Sequence, residues 1–502
     1  MQGLTIDFAR QTDFVLALLP EIVLSVWGML VLMVDVFQKG SRTGPSWRGL
    51  GWFTLVGLVL AAAANWWLGG LSEANLAGSI ALDSFRIFSN FIFLASGAFF
   101  VLIADRYLDE ERMLLGEIYA LIIFATVGMM AFAGTRDLMI MFIALELMSV
   151  CVYVLTAANR RDPRGAEGGL KYFLLGAFAS AFFLFGIALV YGATGTVNLA
   201  EIAATIGVDG IGASPLLLPA IALIAVGFAF KVSAVPFHMW TPDAYEGAPV
   251  PVTTFMAVGV KSAAFAAFVR VFLTAFPGVY DSWDVLAIWL AILTMVGANL
   301  TALVQGDVKR MLAYSSVAHA GYLLVGLAAA NVLGAASVLF YLVVYVFMTA
   351  GSFAVLMVVA GQGEARTGLE WFSGLGWRAP VLGAAMTLFL LSLAGFPLTG
   401  GFVGKVFILR AAIDQGLIGL AVALVLASLI SYYYYLRVAW YMWFREPDGE
   451  PLSLTVSPGT RVAIAAAAIG VLLLGIFPGV LLDAAERSAA ALMHLPTMLG
   501  SN

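Results

Sequence analysis

The strongest constraint on the fold is a series of fourteen apolar runs, each of about twenty residues, separated by short polar segments. Such a run matches a bilayer-crossing helix, because a helix rises about 1.5 Å per residue and the hydrocarbon core is about 30 Å thick. We therefore predict an all-α integral membrane protein with fourteen transmembrane helices, numbered 1 to 14 in chain order. The runs lie at residues 13–36, 49–69, 84–105, 114–133, 137–157, 170–192, 215–238, 250–272, 284–304, 308–329, 332–360, 379–411, 416–443 and 461–483.

The composition agrees with a membrane bundle. Hydrophobic residues make up 62% of the chain and charged residues 11%, which is far from the balance of a soluble domain. The net charge of −5 is small and no basic run occurs, so no nucleic-acid partner is expected. Residues 1–14 are polar and carry acids, so we expect no signal peptide there.

Cysteine and histidine usage argues against a redox centre in this chain. Cys151 is the only cysteine, which excludes an intrachain disulfide and a four-thiolate iron–sulfur or zinc site. The three histidines, His238, His319 and His494, are far apart, and no phosphate-binding loop or dinucleotide fingerprint follows a strand. We therefore expect no metal and no bound cofactor, and any electrons would travel through other chains.

Two of the apolar runs are interrupted by helix-breaking residues. Helix 7 continues into AVPFHMWTPDAYEGAPVP, which contains Pro236, and helix 12 contains LAGFPLTGGFVGK, with Pro397. Proline removes a helix hydrogen bond, and unwound backbone at membrane depth is tolerated only where it is buried or lines a wet cavity. We therefore predict that both helices are broken at these prolines.

The breaks also predict an internal repeat. Helices 4–8 and 9–13 form two sets of five, and the broken helix is the fourth in each set. Because five is odd, the second set enters the membrane the opposite way up, and paired interrupted helices in inverted repeats indicate a transporter's central site. The predicted units are helices 1–3 at 1–113, the first repeat at 114–272, the inverted repeat at 273–443, and helix 14 with the tail at 444–502.

Lysine and arginine in the loops predict the orientation. The odd-numbered loops hold fourteen of these residues, against four in the even-numbered loops and adjoining helix ends. Positive loops stay on the cytoplasmic side. We therefore expect the odd loops to face the cytoplasm and both termini to lie on the opposite, periplasmic side.

Four of the six lysines lie inside or at the edge of apolar runs: Lys171, Lys231, Lys261 and Lys405. A lysine at the bilayer centre costs about 2.5–3.5 kcal/mol on insertion scales, so these residues are predicted to have a function. A buried amine can exchange a proton, whereas an arginine cannot be deprotonated. The alternatives are snorkelling to the interface, most plausible for Lys171 at a helix start, and, for Lys405, neutralising carbonyls of the unwound turn.

Other polar residues in apolar helices have two interpretations each. Glu146 in helix 5 is either a protonated structural acid or the partner of a lysine in a switch. His319 in helix 10 either relays protons or donates one structural bond, and His238 either lines a half-channel or caps helix 7. Glu117 lies near the cytoplasmic end of helix 4, where it can be merely interfacial. The tyrosine run 432–435 favours packing or an interfacial belt.

Three stretches together resemble a known family: GFAFKVSAVPFHMWTPDAYEGAPVPVTTFMAVGVKSAAF, DVKRMLAYSSVAHAGY and AGFPLTGGFVGK. They are similar to the antiporter-like membrane subunits of respiratory complex I and to the large subunits of Mrp-type sodium/proton antiporters. The resemblance covers essentially all fourteen helices. Within this family, the chain resembles the N-type (chain 2) branch in three features: the sequence TPDAYEGAPVPVT, a lysine at position 405 and an end soon after helix 14.

The resemblance implies a proton-translocating subunit of NADH:quinone oxidoreductase in the bacterial inner membrane, with both termini periplasmic. NADH, FMN, iron–sulfur clusters and quinone would belong to partner subunits. Subunits K and M would flank this chain, the lateral helix of subunit L would contact it, and lipids would surround it. The implied roles are a coupling pair of Glu146 and Lys231, a relay through Lys261 and His319, an exit at Lys405, and matches at Lys171 and Glu117. The alternatives are a subunit of an Mrp-type cation/proton antiporter and a structural subunit with no proton path.

Overall fold

The computed structural model describes residues 5–6, 11–38, 48–73, 78–111, 113, 115–207, 212, 214–446 and 454–493. These residues are overwhelmingly helical. The exceptions are a parallel pair of two-residue strands, Thr5–Ile6 and Ser72–Glu73, and a few isolated bridges. The expectation of an all-helical fold is confirmed.

Each of the fourteen predicted runs contains a helix, so the predicted numbers are kept. The helices are Leu19–Gln38 (1), Arg48–Leu68 (2), Ser84–Glu110 (3), Leu115–Gly134 (4), Leu138–Thr156 (5), Pro163–Thr194 (6), Leu217–Val232 (7a), Trp240–Gly247 (7b), Val250–Thr274 (8), Tyr280–Leu303 (9), Val308–Ala328 (10), Val332–Ala360 (11), Pro380–Ala394 (12a), Gly400–Asp414 (12b), Ile418–Phe444 (13) and Pro458–Ile476 (14). Shorter helices lie at Gln11–Ala17, Leu199–Ile206, Leu375–Arg378 and Gly479–Met493.

Twelve helices of the described residues are long and apolar enough to cross a membrane. Helices 7a and 12a are apolar but shorter, because a break follows each of them. The first break spans residues 233–239, which include Pro236, and Ser233 there has a φ of 65°. The second spans 395–399, which include Pro397, and Gly395 there has a φ of 90°.

Helices 8 and 10 are almost entirely buried, and helices 4 and 11 are mostly buried beside them. Helices 1, 2, 6, 9, 13 and 14 surround them and expose large apolar side chains such as Phe178, Trp289 and Leu429. Lipid tails are as apolar as leucine, so an exposed rim of this kind suits a bilayer or neighbouring subunits. Polar side chains of helices 8, 10 and 11 are thereby withdrawn from the surface.

Several predicted helix boundaries differ from the structure, and two of them are wrong by seven residues. Helix 6 begins at Pro163 rather than at residue 170, with Asp162 as its N-cap. Helix 14 ends at Ile476 rather than at residue 483, because the residue before a proline disfavours helical backbone and Pro478 follows. A separate helix, Gly479–Met493, then packs against helices 11 and 3.

Some expectations fall outside what the structure describes. Residues 1–4 and 494–502, which include both termini and His494, lie outside the described residues, so the side on which the termini lie stays a prediction. The division of the chain into four units also stays a prediction.

A buried ion pair between Lys309 and Glu364 ties the two halves of the chain together, although Lys309 is one of the fourteen basic residues assigned above to the odd-numbered loops. The Lys309 Nζ lies 2.5 Å from Glu364 Oε2 and also donates to the carbonyl oxygens of Glu246 and Ala248. Glu364 Oε1 accepts from the Tyr107 hydroxyl at 2.5 Å and, at 2.7 Å, from the backbone N–H at the start of helix 8. The cluster therefore joins helices 3, 7b, 8 and 10 to the turn after helix 11.

Candidate functional site

Lys231 lies in the last turn of helix 7a, directly before the break, and its side chain is buried. The Nζ is 3.5 Å from the Tyr153 hydroxyl, at the outer limit of a hydrogen bond. It also lies between 5.2 and 5.8 Å from the ring centroids of Tyr153, Tyr172 and Phe230. Aromatic faces and the carbonyl end of a helix both attract a cation, so this pocket can hold the ammonium without a carboxylate in contact.

Glu146 is placed near Lys231 but not in contact with it. Glu146 lies on helix 5 and accepts a hydrogen bond from the Ser180 hydroxyl of helix 6. Tyr153 lies seven residues farther along helix 5, about 10 Å along the axis. In the part of the chain that the structure describes, the Glu146 carboxylate and the Lys231 ammonium bond Ser180 and Tyr153 respectively and form no ion pair with each other. The expected coupling pair is thus separated here, with Tyr153 beside Lys231.

Lys261 follows a π-helical segment, Met256–Val260, in the middle of helix 8. Single π-turns inside α-helices are rare and are frequent at functional sites. The Lys261 side chain is buried, and its Nζ donates to the backbone oxygen of Ser316 at 2.6 Å and to the Ser316 hydroxyl at 2.5 Å. Tyr345 donates to the same hydroxyl at 2.9 Å. The amine is therefore held entirely by neutral groups.

His319 is the centre of a hydroxyl network on helix 10. Its Nδ1 lies 2.7 Å from the Tyr341 hydroxyl and its Nε2 3.1 Å from the Tyr435 hydroxyl, which also bonds Ser315. A neutral imidazole carries one proton on its two nitrogens, and a hydroxyl can donate or accept. The network can therefore pass a proton through the ring in either direction.

The tyrosine run 432–435 has both exposed and buried members, and the buried ones pack as predicted but also form hydrogen bonds that the sequence did not indicate. Tyr433 is 60% exposed, whereas Tyr434 and Tyr435 are each 1% exposed. Tyr434 donates to Asn299 and Tyr435 bonds His319. Sequence reasoning also missed Tyr341 and Tyr345, although their spacing of four residues places them on one face of helix 11.

We expect Tyr435→Phe to slow proton movement through this network several-fold, by roughly 1 kcal/mol, because it removes the only hydroxyl that links Ser315 to His319 among the described residues. The ring and its packing remain, so assembly should be unchanged. The measurement is the rate of proton uptake into vesicles that contain the variant. Tyr433→Phe, on the exposed face of the same helix, is the matched control. Equal rates for both variants would remove Tyr435 from the path.

Lys405 lies in helix 12b and reaches back across the second break. Its Nζ donates to the carbonyl oxygens of Leu393 at 3.0 Å and Ala394 at 2.8 Å, and it lies 4.7 Å from the Tyr322 ring centroid. These carbonyls are the C-terminal end of helix 12a, where the helix dipole is negative. The structure therefore shows the carbonyl-binding role foreseen for Lys405, and this role is compatible with proton transfer.

The three secondary candidates lie outside this buried network. Lys171 is 43% exposed and forms ion pairs with Glu167 at 2.6 Å and Asp243 at 2.8 Å, which favours the interfacial alternative. Glu117 is exposed and lines a surface cleft. His238 lies in the first break, is partly buried, and its Nδ1 has no hydrogen-bond partner within the described structure.

The structure thus brings some of the predicted residues together and leaves others apart. Lys261 contacts Ser316, whose neighbour Ser315 leads through Tyr435 to His319. The Tyr322 ring lies 5.3 Å from the His319 ring and also faces Lys405. Among the described residues, Lys231 and Lys261 have no hydrogen-bonding side chain in common. Across these same residues, no group of three or more His, Cys, Asp or Glu side chains is placed to hold a metal ion.

Comparisons with known proteins give consistent matches. The family described as "NADH:quinone oxidoreductase/Mrp antiporter, TM" matches residues 135–431. The chain is 45% identical over 481 residues to "NADH-quinone oxidoreductase subunit N" of Trichlorobacter lovleyi, covering 95% of this chain and 97% of the relative.

Solved structures show the same likeness. A chain in the structure of respiratory complex I from Thermus thermophilus with bound aureothin is 36% identical to this chain, and the two superpose with a TM-score of 0.78. The match covers 93% of this chain and 99% of that chain. A chain of the Mrp complex from Dietzia sp. DQ12-45-1b has a TM-score of 0.80 at 22% identity, covering 96% of this chain and 99% of that one, which shows a shared fold.

Proposed function

This chain belongs to the family of NADH-quinone oxidoreductase subunit N, the antiporter-like membrane subunits of respiratory complex I, and we propose that its buried lysines carry protons across the membrane. The oxidoreductase activity belongs to the whole complex, to which this chain contributes a proton path coupled to quinone reduction elsewhere.

The observation that carries the proposal is a contrast between buried lysines. Lys309 is paired with the carboxylate of Glu364, as a structural charge in a protein interior should be. Lys231, Lys261 and Lys405 are similarly buried, but within the described residues their amines bond or face hydroxyls, carbonyls and aromatic rings, and none of the three forms an ion pair. A buried amine without a fixed counter-charge can become neutral at moderate cost, which is what a proton carrier requires.

The proposed cycle begins at Glu146 and Lys231. When Glu146 approaches, the ammonium form of Lys231 is favoured, and a signal from quinone reduction that separates the two drives the proton onward. The proton reaches Lys261 and then passes by way of His319 and its hydroxyl neighbours to Lys405. The separated positions of Glu146 and Lys231 correspond to the releasing stage of this cycle. Water would bridge the gap between Lys231 and Lys261.

The finer architecture belongs to the same proposal. The two halves of helix 7 and of helix 12 each complete one crossing, which gives fourteen crossings, and helices 4–8 and 9–13 form inverted repeats. The termini face the periplasm of a bacterial inner membrane. Subunits K and M lie on either side, subunit L contacts the chain through its lateral helix, and the NADH, FMN, iron–sulfur and quinone sites lie in partner subunits.

We expect Lys231→Met to reduce NADH-driven proton uptake at least about tenfold, because methionine fills a similar volume but cannot carry a proton. The measurement uses vesicles that contain the assembled complex. Arg410→Met, which removes a positive charge from an exposed side chain of helix 12b, is the control. Native uptake in Lys231→Met would refute the proposed role. Loss of assembly with native uptake per assembled complex would favour the structural subunit instead.

A further inference from the structure

A buried amide joins three helices close to Lys405. Asn299 lies on helix 9, and its side chain is fully buried. Its Nδ2 donates to the Tyr322 hydroxyl of helix 10 at 3.1 Å, and its Oδ1 accepts from the Tyr434 hydroxyl of helix 13 at 2.8 Å. Both tyrosines are buried as well. An amide without partners is costly in an apolar interior, so these two bonds fix the positions of both hydroxyl groups.

The Tyr322 ring contacts the last two residues of the proposed proton path. Its centroid lies 4.7 Å from the Lys405 Nζ, which sits over the ring face. The same ring meets the His319 ring edge to face, with 5.3 Å between the centroids. An aromatic face attracts a cation. The orientation of the Tyr322 ring therefore affects how well the amine of Lys405 is stabilised once it has accepted a proton.

The backbone around Lys405 is shaped to hold its side chain in this position. A Cβ atom on Gly395 would lie 2.9 Å from the Lys405 Cδ, so a larger residue there would displace the lysine stem. Tyr432 of helix 13 donates to the Gly395 carbonyl oxygen at 2.9 Å. Two members of the tyrosine run thus bond residues beside the Lys405 site, Tyr432 at the break in helix 12 and Tyr434 at Asn299.

We propose that Asn299 and Tyr434 are positioning residues for proton transfer to Lys405. They hold the hydroxyl of Tyr322, and through it the ring face, against the amine. Because the ring is already in place, it stabilises the ammonium as soon as the proton arrives, and no reorientation has to precede the transfer. This inference rests on the proposed function, since it concerns the same exit site.

The alternative is that Asn299 only links helices, as asparagine often does inside membranes. The two interpretations differ in the role of the Tyr322 hydroxyl. If Asn299 acts by fixing the ring, its loss slows proton uptake only while that hydroxyl is present. If Asn299 is only a link, its loss lowers the amount of assembled complex and leaves uptake per assembled complex unchanged.

The test compares Asn299→Leu, Tyr322→Phe and the double variant by NADH-driven proton uptake per assembled complex in vesicles. Leucine has a similar branched shape but cannot form the two hydrogen bonds. We expect each single variant to lower uptake about five- to tenfold, as for a weakened cation–π contact. The double variant should be no slower than Tyr322→Phe, because both changes release the same ring. Thr301→Val is the control, since the Thr301 hydroxyl donates to the backbone of helix 9 at Gly297, and it should retain native uptake.

Two further variants keep the test decisive if Asn299→Leu does not assemble. Tyr434→Phe removes one hydroxyl and keeps the ring, so it should lower uptake about threefold and add nothing to Tyr322→Phe. Tyr322→Leu removes the aromatic face itself, so its uptake should lie below that of Tyr322→Phe. This order separates a role of the ring face from a role in packing alone.

Native uptake in an assembled Asn299→Leu or Tyr434→Phe complex would overturn the positioning role. Losses that multiply when either change is combined with Tyr322→Phe would also overturn it. Failure of the proposed function is distinguishable, because Lys405→Met is measured in the same way. If Lys405→Met stops uptake and Asn299→Leu does not lower it, only the positioning role is wrong, whereas native uptake in Lys405→Met removes the exit site itself.

Discussion

Replacing Lys261 with alanine is expected to reduce NADH-driven proton uptake at least about a hundredfold, with NADH oxidation falling in parallel because the two are coupled. The Lys261 amine directly follows the π-segment of helix 8 and bonds Ser316 of helix 10, whose neighbour Ser315 belongs to the hydroxyl network of His319. Alanine leaves a gap there with no proton carrier. Uptake and oxidation are measured together in vesicles that contain the assembled complex.

The neighbouring Ser262 provides the control for this substitution. Its hydroxyl is buried but donates only to the backbone of its own helix, at Val258. Ser262→Ala should therefore retain nearly native uptake. If Lys261→Ala and Ser262→Ala behave alike, the relay through helix 8 is wrong and the structural interpretation gains support.

The second large effect concerns stability. Glu364→Gln is expected to destabilise the folded chain by about 3–5 kcal/mol, because it leaves the buried ammonium of Lys309 without its counter-charge. The amide also cannot accept from Lys309, Tyr107 and the helix 8 N–H as the carboxylate does. The measurements are the amount of chain assembled in the membrane and the melting temperature of the purified complex.

An exposed ion pair and a double variant make this prediction specific. Glu110→Gln removes the partner of Arg106, but both side chains are more than 40% exposed, so the cost should stay below about 1 kcal/mol. Lys309→Met combined with Glu364→Gln should recover much of the loss, since no charge is then left buried. A Glu364→Gln complex as stable as Glu110→Gln would contradict the account.

The sequence could predict the helices because twenty-residue apolar runs have one stable form in a bilayer. It placed the two breaks because Pro236 and Pro397 cannot continue a helix. The predicted end of helix 14 is wrong, because residues 477–483 are apolar enough to extend the run although Pro478 ends the helix. The π-helical segment before Lys261 could not be predicted either, because no residue type in that segment requires a helical turn with one additional residue.

The residues of the candidate site also divide into those that the sequence could predict and those that it could not. The buried lysines and His319 could be singled out because charge and imidazole are conspicuous in apolar helices. The tyrosines were not, since a tyrosine in such a helix usually packs or sits at the interface, and only tertiary contacts bring Tyr341 and Tyr435 to the two nitrogens of His319. Likewise, Lys309 looked like a loop charge until its partner Glu364, 55 residues away, was in place.

The central claim is that Lys261 must release a proton. The most direct test measures the rates of proton uptake and of NADH oxidation, and the ratio of the two rates, in Lys261→Arg complexes. Arginine keeps the positive charge and can donate to Ser316, so assembly should survive, but a guanidinium is not deprotonated in proteins. The account predicts that uptake and oxidation fall as far as in Lys261→Ala. Native uptake and oxidation in Lys261→Arg would contradict it, because a fixed charge at this position would then be sufficient.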